Sequence, residues 1–269
     1  MSIALESNKA KIAKRVVEVL EFFDEHNRHA TVMDIVRRYK RPQSSTSELL
    51  ASLVDLGLLY KDASSRSYTL TPRAAILGST AQPEFIRDGR LSLLIDRLVA
   101  QTGLGVALVG MVGLNAQIFR WKTGSKPLNV APPEELASGV RGPLYESAAG
   151  WLLLSTISQM RRDGFLRRMN AEAPDERKFC FSDMSEQVKA CEQQGYSDGL
   201  AGFGTKADMC SVLLPTAPDE RPMALGFIYD PSDRIDPAVL VSCLREAIDR
   251  CFNPEDGEMA AVRPLSSAA

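Results

Sequence analysis

The chain has 269 residues, 45% of them hydrophobic and 25% charged, which excludes a disordered or low-complexity protein and leaves room for two modest domains with cores of their own. A formal net charge of −2 excludes a protein that coats nucleic acid over its whole surface. The charge is nevertheless uneven: residues 1–80 hold 12 Lys and Arg against 9 Asp and Glu, and the remaining 189 hold 20 against 25, as expected of a small basic module joined to a larger acidic one.

The opening MSIALESNKAK shows no basic segment leading into an apolar core, and no apolar run approaches the ~18 residues of a membrane span, so neither a signal peptide nor a membrane partner is expected. From Lys11 to Phe23, the apolar residues Ile12, Val16, Val19, Leu20 and Phe23 recur at helical spacing, with Lys11, Lys14, Arg15 and Glu18 opposite, and predict a first amphipathic helix. Asn27–Ala30 break it. Thr31 is placed to cap a second helix whose stripe is Val32, Ile35, Val36 and Tyr39, and Pro42 stops it. A third helix follows with Leu49, Leu50, Leu53 and Val54 facing a core, and Gly57 stands where a left-handed cap is expected. LLYKDASSRSYTLTPR then reads as a strand, a polar turn from Asp62 to Arg66, and a strand Ser67–Leu70. Three helices and a hairpin make a winged helix-turn-helix.

Leu91, Leu94, Ile95 and Leu98 repeat helically within Ile86–Leu98 and predict a linker helix that packs against another copy of itself. Two apolar runs, Val106–Met111 and Ala116–Trp121, flank a Gly/Asn turn and predict a β-hairpin, followed by a loop marked by Pro127, Pro132 and Pro133. Helices are expected over Glu146–Ser155, Gln159–Met169, Ser185–Gln194 and Ile235–Phe252, with MCSVLLPT and PMALGFIYD as central strands. The fold class is therefore α+β. Its parts are the winged helix-turn-helix over 1–79, a linker helix over 80–102, an antiparallel-sheet domain over 103–253, and a flexible tail rich in Pro, Ser and Ala over 254–269. The cysteines, Cys180, Cys191, Cys210, Cys243 and Cys251, are odd in number and include no C-x-x-C pair. They signal neither a disulfide framework nor a zinc site and suit a reduced, cytoplasmic protein with no metal and no cofactor.

The stretch RPQSSTSELL, 41–50, spends the start of the third helix on small polar side chains. On the wheel, Thr46 turns to the core, Ser44, Glu48, Ser52 and Asp55 point away, and Ser45 and Ser47 flank them. The second helix of a helix-turn-helix puts its N-terminal residues into the major groove, so Gln43, Ser44, Ser45 and Ser47 are candidates for base edges or phosphates. Lys40 and Arg41 before the helix, and Lys61 and Arg66 on the hairpin, are candidate backbone contacts, with Arg66 placed for the minor groove. The plain alternatives are that Ser45 and Glu48 form a capping box and that the hairpin cations belong to an ordinary solvated loop.

PQSSTSELLASLVDLGLL (42–59) and YTLTPRAAILG (68–78), together with GVRGPLYESAAGWLLLS (139–155) and EQQGYSDG (192–199), resemble in order the IclR family of bacterial transcription regulators. The likeness covers about residues 9–252. It implies a GAF-like second domain that binds a small metabolite, often an organic or aromatic acid. It also implies a homodimer or homotetramer acting on a near-palindromic duplex operator. Carried over onto this chain, the effector residues are Ala148, Ala149, Asp198 and Ser211, with Arg120 at the hairpin end placed to pair with an acid. The structural alternatives are close helix packing for the alanines, a core position for Ser211 and a surface charge for Arg120. The chain departs from the family pattern at Glu48, where a basic residue is usual, and at Trp151, where lysine usually follows the glycine. Ser211 stands four residues before Pro215, where a cysteine is often found, and Cys210 is one step earlier.

An enzyme is not expected. His26 and His29 have no cysteine beside them, no G-x-S-x-G, H-E-x-x-H or P-loop occurs, and GLGVALVG (103–110) lacks the third glycine of a dinucleotide fingerprint. The competing reading is a GAF-like sensor whose degenerate helix-turn-helix mediates protein contacts, with Glu48 in its favour.

Overall fold

The computed structural model describes residues 8–24, 27–79, 82–130, 136–217 and 220–252. The tail expected from 254, His26, Pro132 and Pro133 lie outside the described residues. The chain divides into two compact units, Met1–Gln82 and Pro83–Ala269.

In the first unit, α1 (Asn8–Phe22), α2 (Val32–Tyr39) and α3 (Gln43–Asp55) precede the hairpin β1 (Leu59–Lys61) and β2 (Tyr68–Leu70), and α4 (Pro72–Ile76) follows. Ala30 adds a short third rung, exchanging backbone hydrogen bonds with Tyr68 at 3.0 and 2.7 Å. Val19, Ala30, Ile35, Leu50, Leu53, Leu58, Leu59 and Tyr68 form the core. Ile12, expected on the buried stripe of α1, is 53% exposed, because it lies two turns before Val19, the residue on which the core closes. Gly57 takes φ +69°, and Gly57 and Leu58 donate back to Val54 and Leu53. That closes α3 and turns the chain into the wing.

Thr31 caps α2 as expected. Its hydroxyl accepts from the Asp34 N–H at 3.4 Å, and its own N–H donates to the Asp34 carboxylate at 2.8 Å, a reciprocal box. The hydrogen bonds from Thr31 hold the Asp34 carboxyl below its ordinary value. The stabilisation they give is complete above that ordinary value and is lost as pH falls through the lowered one. Thr31→Ala is expected to cost about 1 kcal/mol, read from the unfolding midpoint of the helix-turn-helix unit.

The second unit runs α5 (Glu84–Arg87), α6 (Arg90–Thr102), β3 (Gly105–Val112), β4 (Asn115–Lys122), β5 (Arg141–Pro143), α7 (Ala148–Ser155), α8 (Gln159–Glu172), α9 (Phe181–Gln194), β6 (Tyr196–Leu200), β7 (Asp208–Leu213), β8 (Met223–Tyr229) and α10 (Pro237–Phe252). One antiparallel sheet has the order β5-β4-β3-β8-β7-β6. Both faces are buried, and the strands alternate between them. Ala107, Val109, Ile118, Met209, Ala224 and Ile228 face α7, α8 and α9. Val106, Leu108, Cys210, Val212, Leu225, Phe227 and Tyr229 face α6 and α10. Two covered faces explain why β3 and β8 read as continuous apolar runs.

Leu91, Leu94, Ile95 and Leu98 of α6 are buried within the second unit of the same chain. The helix expected to face another copy is thus an integral cover of this sheet, and its apolar stripe meets β3 and α10 instead. Strands β5 and β6 and the first turn of α9, which starts at Phe181, also go beyond the elements expected from sequence. Among the described residues no helix is long and apolar enough to cross a membrane.

Candidate nucleic-acid interface and ligand layer

Helix α3 starts directly after Pro42, which occupies the cap position without any side-chain hydrogen bond. The capping box weighed as an alternative for Ser45 and Glu48 does not form. Ser45 is the third residue of the helix, and its groups are engaged by α1: Arg15 Nη2 donates to the Ser45 carbonyl at 2.9 Å and to its Oγ at 3.2 Å. Thr46 is 1% exposed, and its hydroxyl donates to the Pro42 carbonyl at 2.9 Å, as its place on the wheel requires. Gln43, Ser44, Ser47, Glu48, Ala51 and Ser52 are exposed. Arg15→Ala removes both bonds to Ser45 and is expected to cost about 1–2 kcal/mol of helix-turn-helix stability, measured by thermal unfolding.

Lys40 closes α2 in the left-handed conformation (φ 51°) and is exposed. Arg41 differs from the sequence expectation. It pairs with Glu18 of α1 at 2.5 Å, with the two side chains 31% and 18% exposed. A carboxylate that already holds its guanidinium competes directly with phosphate, so Arg41 braces α1 against the turn.

Lys61 and Arg66 are both exposed on the hairpin. Lys61 Nζ lies 5.8 Å from the Tyr68 ring centre, and Arg66 sits in the turn at φ 54°. Asp62 organises this turn, accepting from the Ser64 N–H at 2.8 Å, the Ser64 hydroxyl at 2.7 Å and the Ser65 hydroxyl at 2.9 Å. These bonds, led by the Ser64 hydroxyl, hold its carboxyl at about 2.

In the second unit, Ala148 and Ala149 fill the first turn of α7 with no exposed surface. Ser147 caps that turn, its Oγ accepting from the Gly150 N–H at 3.0 Å. Ser211 is buried on β7, and its hydroxyl pairs with that of Ser197 at 2.7 Å. The three carried-over residues Ala148, Ala149 and Ser211 therefore belong to one layer, between the sheet and α7.

Arg120 and Asp198 do not join them. Simple alternation along β4 would set Arg120 beside Ala116 and Ile118. The register shift between Leu108 and Val109 makes Phe119 an extra residue, so that Arg120 stands opposite Leu108 and shares its face, the α6 side. Asp198 is exposed and stands opposite Cys210 on the edge strand β6, again on the α10 side. The five carried-over residues thus divide between the two faces of the sheet.

Residues 13–63 match the family model of the IclR helix-turn-helix domain. The chain therefore carries an IclR-type helix-turn-helix domain. A Pca regulon regulatory protein of Pseudomonas putida is 25% identical over 235 residues, spanning 85% of this chain and 72% of that protein. Among solved structures, the Thermotoga maritima IclR has a TM-score of 0.58 at 14% identity, covering 90% of this chain and 97% of its own. An IclR homologue from Microbacterium hydrocarbonoxydans, in complex with 4-hydroxybenzoate, has a TM-score of 0.57 at 18% identity, covering 89% and 97%. At these identities the structures establish the shared fold.

The IclR match spans α1 through β1 into the wing turn. The chain's second unit also contains parts that sequence reasoning missed. The segment 201–207 places Gly202, Phe203 and Gly204 at φ of 75°, 56° and 81°, folding over the start of α7. A Cβ on Gly202 would lie 2.9 Å from both the Glu146 carbonyl oxygen and the Ser147 Cβ. Trp151, a departure from the IclR pattern, is accommodated: its Nε1–H donates to the Tyr145 carbonyl at 2.8 Å, and its ring covers Gly199 of β6. The signal for this loop was the pair of glycines around Phe203, and the signal for the Trp151 seat was Gly199. Cys210 is a buried thiol pushed up to about 12, first by burial and then by the Asp198 charge, so it packs as an inert apolar group.

Proposed function

We propose that this protein is a ligand-responsive transcription regulator that acts in the cytoplasm as a homo-oligomer on a near-palindromic duplex operator. The observation that carries the reading is the first two turns of α3. They expose Gln43, Ser44, Ser47 and Glu48 with no bulky apolar group among them, and Lys40, Lys61 and Arg66 are exposed on the preceding turn and the wing. That combination suits a helix inserted in the major groove, with phosphate contacts at its margins. Two-fold related helices would read half-sites about 34 Å apart.

The effector layer is assigned to the α7 side of the sheet, with Ala148, Ala149 and Ser211. A small organic or aromatic acid is the proposed class, supported by the 4-hydroxybenzoate complex of the Microbacterium homologue. A ligand that binds one arrangement of the oligomer better shifts the population and so changes the spacing of the recognition helices.

The direct test is selection of bound sequences from random duplex DNA at two salt concentrations. An inverted repeat with steep salt dependence is the expected result, and recovery of nothing above background overturns the DNA reading. Titration with 4-hydroxybenzoate, followed by the fluorescence of Trp121 and Trp151, tests the ligand class. Both rings pack on the α7 layer, so a saturable change is expected, and a flat response up to millimolar ligand rejects this acid as the effector.

A further inference from the structure

Glu48 is the charged residue within the first two turns of α3. It is exposed on the side opposite the buried Thr46, Leu50 and Leu53, at the centre of the surface that an inserted helix turns to the groove floor. Its carboxylate takes no part in a cap, because Ser45 is held by Arg15 and the helix starts at Pro42. Its carboxylate has no hydrogen-bond or ion-pair partner among the described residues, while its backbone carbonyl also accepts from the Ser52 hydroxyl at 3.0 Å. Its neighbours on that face are Ser44, Ser47, Ala51 and Ser52, all short, so Glu48 reaches furthest from the helix.

Resting on the DNA-binding reading above, we infer that Glu48 is a specificity-determining residue that accepts a hydrogen bond from the N4 amino group of a cytosine in each half-site. An ionised carboxylate only accepts. In the major groove guanine presents two acceptors and thymine an acceptor and a methyl group. Adenine sets its amino group beside the N7 acceptor, whereas cytosine offers its amino group with no acceptor on the same base. The carboxylate therefore meets repulsion or an unpaired acceptor at three of the four bases. Such a contact gives roughly tenfold to a hundredfold discrimination against the wrong base. The exposed cations Lys40, Lys61 and Arg66 supply the phosphate attraction that an acidic helix face forgoes.

The experiment is sequence selection from random duplex DNA by the full-length wild type, Glu48→Ala and Glu48→Gln, side by side, with thermal unfolding as a check that this exposed site leaves the fold unchanged. The wild type is expected to enrich cytosine at one position of each half-site. Glu48→Ala should lose the preference at that position alone, keep the remaining motif, and bind non-cognate DNA more tightly. Glu48→Gln should move the preference toward adenine, whose N6 and N7 suit an amide. A wild-type motif that Glu48→Ala reproduces in full, cytosine included, overturns the role of Glu48 while leaving the regulator reading intact. A wild type that enriches no sequence overturns the DNA-binding reading and this inference together.

Discussion

Tryptophan at both Ser44 and Ser47 is expected to lower operator affinity by at least about 100-fold, because two or more base contacts worth roughly 1–3 kcal/mol each are lost together. The reason is space. A helix with its side chains is about 10–12 Å across and the major groove about 12 Å wide, so two indoles on the inserted face hold the helix out of the groove. Both serines are exposed, so the stability, read by thermal unfolding, should stay within about 0.5 kcal/mol of the wild type. Fluorescence anisotropy with a selected operator duplex reads the loss. A double variant that binds that duplex as the wild type does would mean that α3 does not enter the groove.

The second large effect is expected at Gly150. Any Cβ there would stand 2.0 Å from the Leu144 carbonyl oxygen and 2.8 Å from its carbonyl carbon, and backbone cannot swing aside as a long side chain can. Helix α7 would have to retreat from the chain that leads into it, yet Ala148, Ala149, Leu152, Leu153 and Leu154 are packed with no exposed surface. Gly150→Ala is therefore expected to destabilise the second unit by about 3 kcal/mol or more. The sequence has two tryptophans, Trp121 and Trp151, and both belong to that unit, so intrinsic fluorescence during denaturant unfolding follows it selectively. An unchanged midpoint would show that α7 has slack where the geometry leaves none.

Much of the helix-turn-helix was legible in the chain because each of its boundaries carries a local chemical cause. Thr31 with Asp34 starts α2, Pro42 separates α2 from α3, and Gly57 with its positive φ ends α3. The sheet domain was less legible where burial is complete or strands are short. Helix α7, AAGWLLLS, was expected within Glu146–Ser155, yet it is apolar on nearly every side, so the face it turns to the sheet has no period to read. Strand β6, YSDGL, is an edge of five residues whose Gly199 takes φ 144°, and propensity argues against such a segment. Arg120 falls on the other face from Ser211 for a geometric reason. Which face a strand residue occupies depends on every residue before it, and the single extra residue at Phe119 reverses the count for Arg120. Arg41 was read as a phosphate contact from its place just before α3; its pairing with Glu18, 23 residues away, leaves no trace in local sequence.

The place of β8 between β3 and β7 has a consequence for synthesis. Among the described residues it is the last strand made, and β3 waits for it from residue 105 until residue 228 has been added. The helix-turn-helix unit is complete by Gln82 and depends on nothing that follows for its own core. At translation speeds of about 5–20 residues per second, the helix-turn-helix unit can fold on the order of ten seconds before the second unit can close its sheet. For that interval every newly made copy has its helix-turn-helix core in place while β3 still lacks its central partner.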